Sequence, residues 1–453
     1  MAIIPRPLPI SCSRRKPELI VPKNKIPKEI LYLSDIDDQE GLHFQMPILM
    51  FYKFNSSMKG KDHAKIIKDG LSKALVFYYP LAGRIIEGPN RKLMVNCNSE
   101  GIMFIEADAN VELEKLGDSI LPPCPYLEEL LYNEPGSVGI IGCPLMLVQV
   151  THFTCGGFVV GFKVNHTMMD AYGFKMFLNA LSEIIQGASA PSILPVWQRD
   201  LLSARSSPCI TCTHNEFDEQ VESKLAWIAM EDKLIQHSFF FGNKEIKAIK
   251  DQLLESGYGS VGRFELLVAF LWKYRTIALD INPEESVRLS YVVNVRVGPQ
   301  KMELPLGYYG NAFATPAAVS KAGLLCSNPL TYAIELIKQA KNQVNEEYIK
   351  SLADYMVINR RRPWTKSWNF LITNDALLGL DEVDFGWGKP ILGGVDRSPF
   401  SFASFFWSFN NNIGEKSIVI AINLPQQAME KFQHLIHDFT SKNVEKIQLA
   451  SKI

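Results

Sequence analysis

An α+β fold in two domains is predicted by three features of the sequence. Short apolar, β-branched runs alternate with stretches of amphipathic helical spacing, and both halves of the chain carry paired runs suited to antiparallel strands. A stretch rich in Pro, Ser and Thr separates the halves. The 453 residues, 47% hydrophobic and 21% charged, have the composition of an ordinary globular protein that can build large cores without disulfide or metal staples.

Taken in order, Pro47 to Tyr52 is an apolar run that predicts a strand. From His63 to Phe77 the apolar positions Ile66, Ile67, Leu71 and Leu75 recur at helical spacing. Lys92 to Cys97 and Ile102 to Ala107 flank Asn98-Ser99-Glu100-Gly101, a run of turn formers that predicts a hairpin. Leu145 to Val150 and Gly157 to Val164 read as two strands separated at Cys155-Gly156-Gly157. Asp170 is placed to N-cap a helix that runs to about Gln186 and stops at Gly187. Pro191, Pro195 and Pro208 mark 191–224 as a crossover linker, with domains at 1–190 and 225–453. Beyond it, helices are expected over Asn243 to Leu254, Phe264 to Ala278 and Asn328 to Tyr348, and a strand over Arg288 to Arg296. Phe400 to Phe409 and Ser417 to Leu424 predict a final hairpin across Asn410-Asn411-Asn412-Ile413-Gly414.

Composition narrows the function classes. Lys+Arg 47 against Asp+Glu 48 leaves no basic excess, so no nucleic-acid partner is expected, and Arg360-Arg361-Arg362 reads as a solvated loop. The longest uncharged stretch, Pro135 to Phe162, is interrupted by Gly142, Pro144, Gln149 and His152. Two buried strands account for it better than a membrane helix, so no membrane partner and no secretory leader are expected. Eight scattered cysteines suit free thiols in a reducing compartment. Cys209-x-x-Cys212 lacks a second pair and His434-x-x-His437 reads as solvent-facing, so no metal is expected. The final Ser451-Lys452-Ile453 differs from the peroxisomal tripeptide Ser-Lys-Leu by one isomeric side chain, which makes the expected location cytoplasmic or peroxisomal.

The pattern His-x-x-x-Asp occurs at His166…Asp170, His214…Asp218 and His434…Asp438. Only the first sits where an apolar strand ends and a helix begins, a place where reactive groups are commonly displayed. On the residues alone, His166 is either a base or a hydrogen-bonded core histidine, and Asp170 serves the corner as a cap in both cases. A lone imidazole suits one chemistry well. It titrates near 6.5 and accepts a proton at neutral pH, whereas an alcohol is about as weak an acid as water, near 16. Deprotonating the alcohol outright would cost about ten units, roughly 13 kcal/mol. The proton must therefore move while the new C–O bond forms. A thioester donor is activated already and requires neither metal nor covalent enzyme intermediate.

A second motif, Asp384-Phe-Gly-Trp-Gly388, resembles a kinase loop in its first three residues, but neither a Gly-rich loop nor a His-Arg-Asp loop precedes it. Together with His166-Thr-Met-Met-Asp170, Tyr79-Pro-Leu-Ala-Gly-Arg84 and Gly307-Tyr-Tyr-Gly-Asn-Ala312, it resembles the plant BAHD acyltransferase family over nearly the whole chain. That resemblance implies two similar chloramphenicol acetyltransferase-like domains with a channel between them. It also implies a monomer with no permanently bound cofactor, taking acyl-CoA as co-substrate from one mouth and an alcohol from the other. The implied catalytic positions are His166 and Asp384, the latter supporting the site from the CoA side. Asp170, its arginine partner Arg296, Gly386 and Trp387 are implied as structural supports, and Gly310 and Asn311 as cofactor-binding. Gly262-Arg263 stands where relatives often carry Ser or Thr, and Thr373-Asn-Asp-Ala-Leu377 departs from a wall of the acceptor pocket. Leu33-Ser-Asp-Ile-Asp-Asp-Gln-Glu-Gly-Leu42, Ala74-Leu-Val-Phe-Tyr-Tyr79 and Ile193-Leu-Pro-Val-Trp-Gln-Arg199 are similar to benzyl alcohol O-benzoyltransferases and related alcohol acyltransferases. They imply benzoyl-CoA and benzyl alcohol as substrates, with acetyl-CoA and aliphatic or alkaloid alcohols as the rival pair. An idle channel-bearing binding protein is the reading from another class.

Overall fold

Runs of consecutive apolar residues become strands buried on both faces. In the computed structural model, which describes residues 9–450 apart from 138, 219–229, 232, 256–260, 299–300, 399 and 411–415, the main strands follow in chain order. They are β1 (Cys12–Arg14), β2 (Glu18–Ile20), β3 (Gln45–Tyr52), β4 (Ile102–Ala109), β5 (Met146–His152), β6 (Phe158–Asn165) and β7 (Leu234–Phe241). After these come β8 (Ser286–Tyr291), β9 (Ala317–Lys321), β10 (Asn369–Asn374), β11 (Leu392–Val395), β12 (Ala403–Asn410) and β13 (Lys416–Pro425). The principal helices are α1 (His63–Phe77), α2 (Ala171–Ile185), α3 (Asn243–Glu255), α4 (Arg263–Leu279), α5 (Leu330–Gln343), α6 (Glu346–Ile358) and α7 (Gln426–Ala450).

Two mixed sheets result. The first runs β1-β4-β5-β6-β3-β11, with β2 also paired to β4, and the second runs β7-β13-β12-β10-β8-β9. Alternation along β3 explains the double burial. Ile48, Met50 and Tyr52 face α1 and α2, whose Ile67, Leu71, Phe174, Phe177 and Leu181 share their core, while Leu49 and Phe51 pack on the other face with Leu113, Leu116 and Leu127. The second sheet shares a separate core with α3, α4, α5, α6 and α7. Phe405, Trp407, Val419 and Ala421 of β12 and β13 belong instead to the first core, so the halves interlock.

Three expectations change. Leu93–Asn96 and β4 do not form a hairpin: the former pairs with Arg84–Glu87 and Ile30–Tyr32 in a small separate sheet, and β4 pairs with β1, β2 and β5. Ser99 and Gly101 carry φ of 63° and 91°, and Gly101 sits so close to the Ile20 carbonyl that a Cβ would lie 2.4 Å from it. The turn thus redirects the chain instead of reversing it. The expected helix over Asn328 to Tyr348 breaks after Gln343, where Asn345 accepts a hydrogen bond from Tyr348 N and caps a new helix, α6. Arg288 to Arg296 divides into β8 and a two-residue bridge, Val293–Asn294, paired with Phe313–Ala314. The end of the linker, most of the turn before β13 and the last three residues lie outside the described residues.

Candidate active site

The histidine corner grows out of a strand pair. In β6 and β3, Asn165 stands opposite Gln45, and the ladder continues one step further as His166 N donates to the Phe44 carbonyl at 2.9 Å. Asn165 Oδ1 then accepts from Thr167 N and Oγ1 at 3.1 and 2.8 Å, which curls the chain toward α2. Asp170 caps that helix through Oδ1, which accepts from Gly173 N at 2.9 Å. The imidazole emerges beside Phe44 and Phe313, with ring centroids at 5.0 and 6.3 Å. The residue as a whole is half-buried although its ring is densely surrounded, and Nδ1 is sealed from solvent with no hydrogen-bond partner among the described residues.

The second half of the chain clamps this corner. Asp170 Oδ2 accepts from Arg296 Nη1 at 2.7 Å and from Ala312 N at 3.0 Å. Arg296 is itself oriented by the Tyr308 and Gly310 carbonyls. Asn311 is fully buried, and its Nδ2 donates at 2.8 Å to both the His166 carbonyl and Asp37 Oδ1. Asp37 also accepts from Asn311 N at 2.8 Å and from Arg199 Nη1 at 2.9 Å. Arg199, 1% exposed, donates through Nη2 to the Met168 carbonyl at 2.8 Å and stacks on Trp197 and Tyr309 at 4.3 and 4.9 Å. Gly310 must be glycine here, because a Cβ would lie 1.6 Å from Arg199 Nη1. A buried pair of this kind costs about 3–5 kcal/mol when one partner alone is removed.

Asp37, Arg199, Phe44 and Phe313 escaped sequence reading as site residues. Asp37 lies in Ser34-Asp-Ile-Asp-Asp38, whose run of three acids carries no sequence mark of burial, yet all three are buried. Its partner stands 162 positions away, near the start of the supposed linker, and no local pattern joins them. Gly310 and Asn311, expected on the cofactor, lie under the histidine corner, Gly310 against Arg296 and Asn311 against the His166 carbonyl. Asp375, in the run that departs from the acceptor wall, is buried with both carboxylate oxygens unpartnered among the described residues, and desolvation pushes it up to about 7.

Asp384 does not meet His166. Its Oδ1 accepts from Gly386 N and Gly388 N at 2.6 and 2.8 Å, closing a loop whose glycines have φ of 100° and 93°. Its carbonyl accepts from Ser182 Oγ and Gln186 Nε2 at 2.5 and 2.8 Å. Those anchors are at the C-terminal end of α2, about 20 Å along the axis from the Asp170 cap. Phe385 packs on Tyr52 at 5.6 Å, and Trp387 on Phe158 and His63 at 5.3 and 5.1 Å. The loop thus fixes the far end of the helix whose near end holds the histidine corner.

Burial is the largest influence on His166 and lowers its pKa. Its own carbonyl, Asp170, Asn311 and Asp37 oppose the shift without cancelling it. The ring is therefore neutral at pH 7 and able to accept a proton. Arg296 takes the charge of Asp170, so the aspartate does not hold the imidazole protonated.

The family model described as Transferase family matches residues 11–438. Alcohol acyl transferase 1 allele GSa of Malus domestica is 51% identical over 438 residues, covering 96% of this chain and 95% of the relative. Benzyl alcohol O-benzoyltransferase of Petunia hybrida is 50% identical over 426 residues, covering 92% and 91%. Among solved structures, vinorine synthase superposes with a TM-score of 0.72 at 22% identity, covering 93% of this chain and 96% of its own. F. sporotrichioides TRI101 complexed with Coenzyme A and T-2 gives 0.70 at 17%, covering 90% and 97%. The two solved structures share the chloramphenicol acetyltransferase-like fold with this chain.

Proposed function

The chain belongs to the plant BAHD acyltransferase family, and on that premise we propose that it transfers an acyl group from acyl-CoA to an alcohol, with His166 as general base. One observation supports this reading above the others: an imidazole kept neutral by burial is braced from both halves of the chain on a residue that is only half-buried. In our assignment the ring proton sits on Nδ1, toward the residue's own carbonyl and the Asn311 amide, which leaves the Nε2 lone pair for the substrate.

The alcohol oxygen attacks the thioester carbonyl as Nε2 takes the hydroxyl proton, giving a tetrahedral intermediate and an imidazolium. The C–S bond then breaks, the thiolate recovers that proton from His166, and the ester and free CoA leave. Asp170, Arg296, Asn311, Asp37 and Arg199 act as positioning residues. They fix the backbone on both sides of the histidine, where small displacements affect rate strongly. Asp384, Gly386 and Trp387 support the site through α2.

Benzoyl-CoA and benzyl alcohol are our leading substrates, on the similarity to the Petunia enzyme. Transfer to aliphatic alcohols is the second reading, favoured by the similarity to the Malus proteins. A few methylenes change discrimination by only about 1–3 kcal/mol each, so the two are separated by assay. Thiol release is measured with benzoyl-CoA and acetyl-CoA against benzyl alcohol and hexanol. We expect benzoyl-CoA with benzyl alcohol to give the highest kcat/KM; acetyl-CoA used far faster with either acceptor ends the benzoyl assignment, and no release with any pair ends the enzymatic one.

A further inference from the structure

Away from His166, side chains from three elements converge beside the Trp387 loop. Asp62 caps α1 and His63 begins it, Glu106 lies in β4, and His152 ends β5. Asp62, Glu106 and His152 each offer a ligand atom within 4.8 Å of the other two. His152 Nε2 is 3.6 Å from Glu106 Oε1, and its Nδ1 is 3.1 Å from Nδ1 of His63. Two imidazoles can meet nitrogen to nitrogen only if one offers a lone pair and the other a proton. Whichever ring gives the proton, that contact fixes the His152 ring with its other nitrogen on the side of Glu106. His152, Glu106 and Asp62 thus bring three potential ligand atoms together in one place, an arrangement suited to a cation.

We propose that Asp62, Glu106 and His152 form a binding site for a divalent transition cation of the zinc class, with His63 fixing the His152 ring from behind. One imidazole and two carboxylates form a donor set that zinc accepts, and a three-ligand site leaves a position for water. Holding a ligand histidine through its second nitrogen is the usual way such rings are oriented. The cluster is open enough for an ion to enter, since Asp62 is exposed and the other two are half-buried. Asp108, exposed and opposite His152 in the β4–β5 ladder, adds negative charge. Arg15 competes for Glu106 at 2.6 Å, but its side chain is 60% exposed, and pairs of that kind are weak. His63 lies 4.2 Å from the Phe158 ring and 5.1 Å from Trp387, so a bound ion would brace α1, β5 and the tryptophan loop as one unit. Positions 62, 106 and 152 have no ligand-like spacing, which is why the sequence shows none of this.

The test is calorimetric titration of tag-free, chelator-stripped full chain with Zn²⁺, with Mg²⁺ as a comparison. It uses a Cys209→Ser background so that the Cys209-x-x-Cys212 thiol pair elsewhere in the chain contributes no binding. One equivalent of zinc should bind, with Mg²⁺ far weaker, and saturation should raise the thermal midpoint. Asp62→Asn and His152→Gln should each weaken zinc by about tenfold or more. Asn caps a helix as well as Asp does, so Asp62→Asn decides the matter even where His152→Gln folds poorly. No zinc uptake, unchanged affinity in Asp62→Asn, or magnesium bound as tightly as zinc overturns the proposal.

Discussion

At the scale of single residues, the account turns on which way one imidazole is pushed. Desolvation lowers His166 more than Asp170, Asn311, Asp37 and its own carbonyl raise it, so its working form is neutral and persists below the free value of 6.5. The acid limb of kcat/KM should therefore lie below pH 6.5. An acid limb above 7 would mean that the carboxylates dominate the ring. The same shift has a consequence for stability. The folded state binds fewer protons than the unfolded one, so the contribution of this group is full above 6.5 and is lost as pH falls from there toward the folded value. Thermal midpoints at each pH separate the two effects. His166, Asp170 and Arg296 were legible in the sequence, the first two by spacing at a strand–helix corner and the third by resemblance. Asp37 and Arg199 were not. Their interaction exists only once residues 162 positions apart are brought together, and an acid in a run of acids carries no mark of burial.

Elements explain how the corner is held. The predicted α1, strands β3 to β6 and α2 appear within a residue or two of their expected bounds, whereas β1, β2 and β11 were not foreseen, because long periodic runs and the Asp170 cap are local signals and very short strands are not. The failures are junctions. Asn98 to Gly101 looks like a hairpin turn yet passes the chain between sheets, and Asn345 ends one helix by capping the next. Pairing partners and the choice between continuing and restarting a helix are settled by tertiary packing, which short windows do not contain. The Asp384 loop is an element-scale device as well. Its carboxylate holds two backbone amides and its carbonyl ties the loop to α2. Hydrogen bonds to a charged acceptor contribute about 1.5–3 kcal/mol each. Asp384→Ala should thus lower the thermal midpoint clearly while the folded fraction retains most of its turnover. A variant with a normal midpoint and no turnover would place Asp384 in the chemistry.

For the whole molecule, the candidate site belongs to neither half alone. β11 from the second half completes the first sheet, β12 and β13 send apolar residues into the first core, and Asp170, Met168 and His166 are each held by residues beyond position 190. The apparent linker is part of this joint, since Val196 hydrogen-bonds Gly307 and Arg199 lies under the histidine corner. We propose that the two substrates meet at a base standing at this junction. The most direct test of that claim is single-turnover thiol release by His166→Ala, measured beside its thermal midpoint. The account predicts a loss of about 10²–10⁴-fold in rate with a midpoint close to that of the parent chain; a folded His166→Ala protein that releases CoA at nearly the parent rate would contradict it.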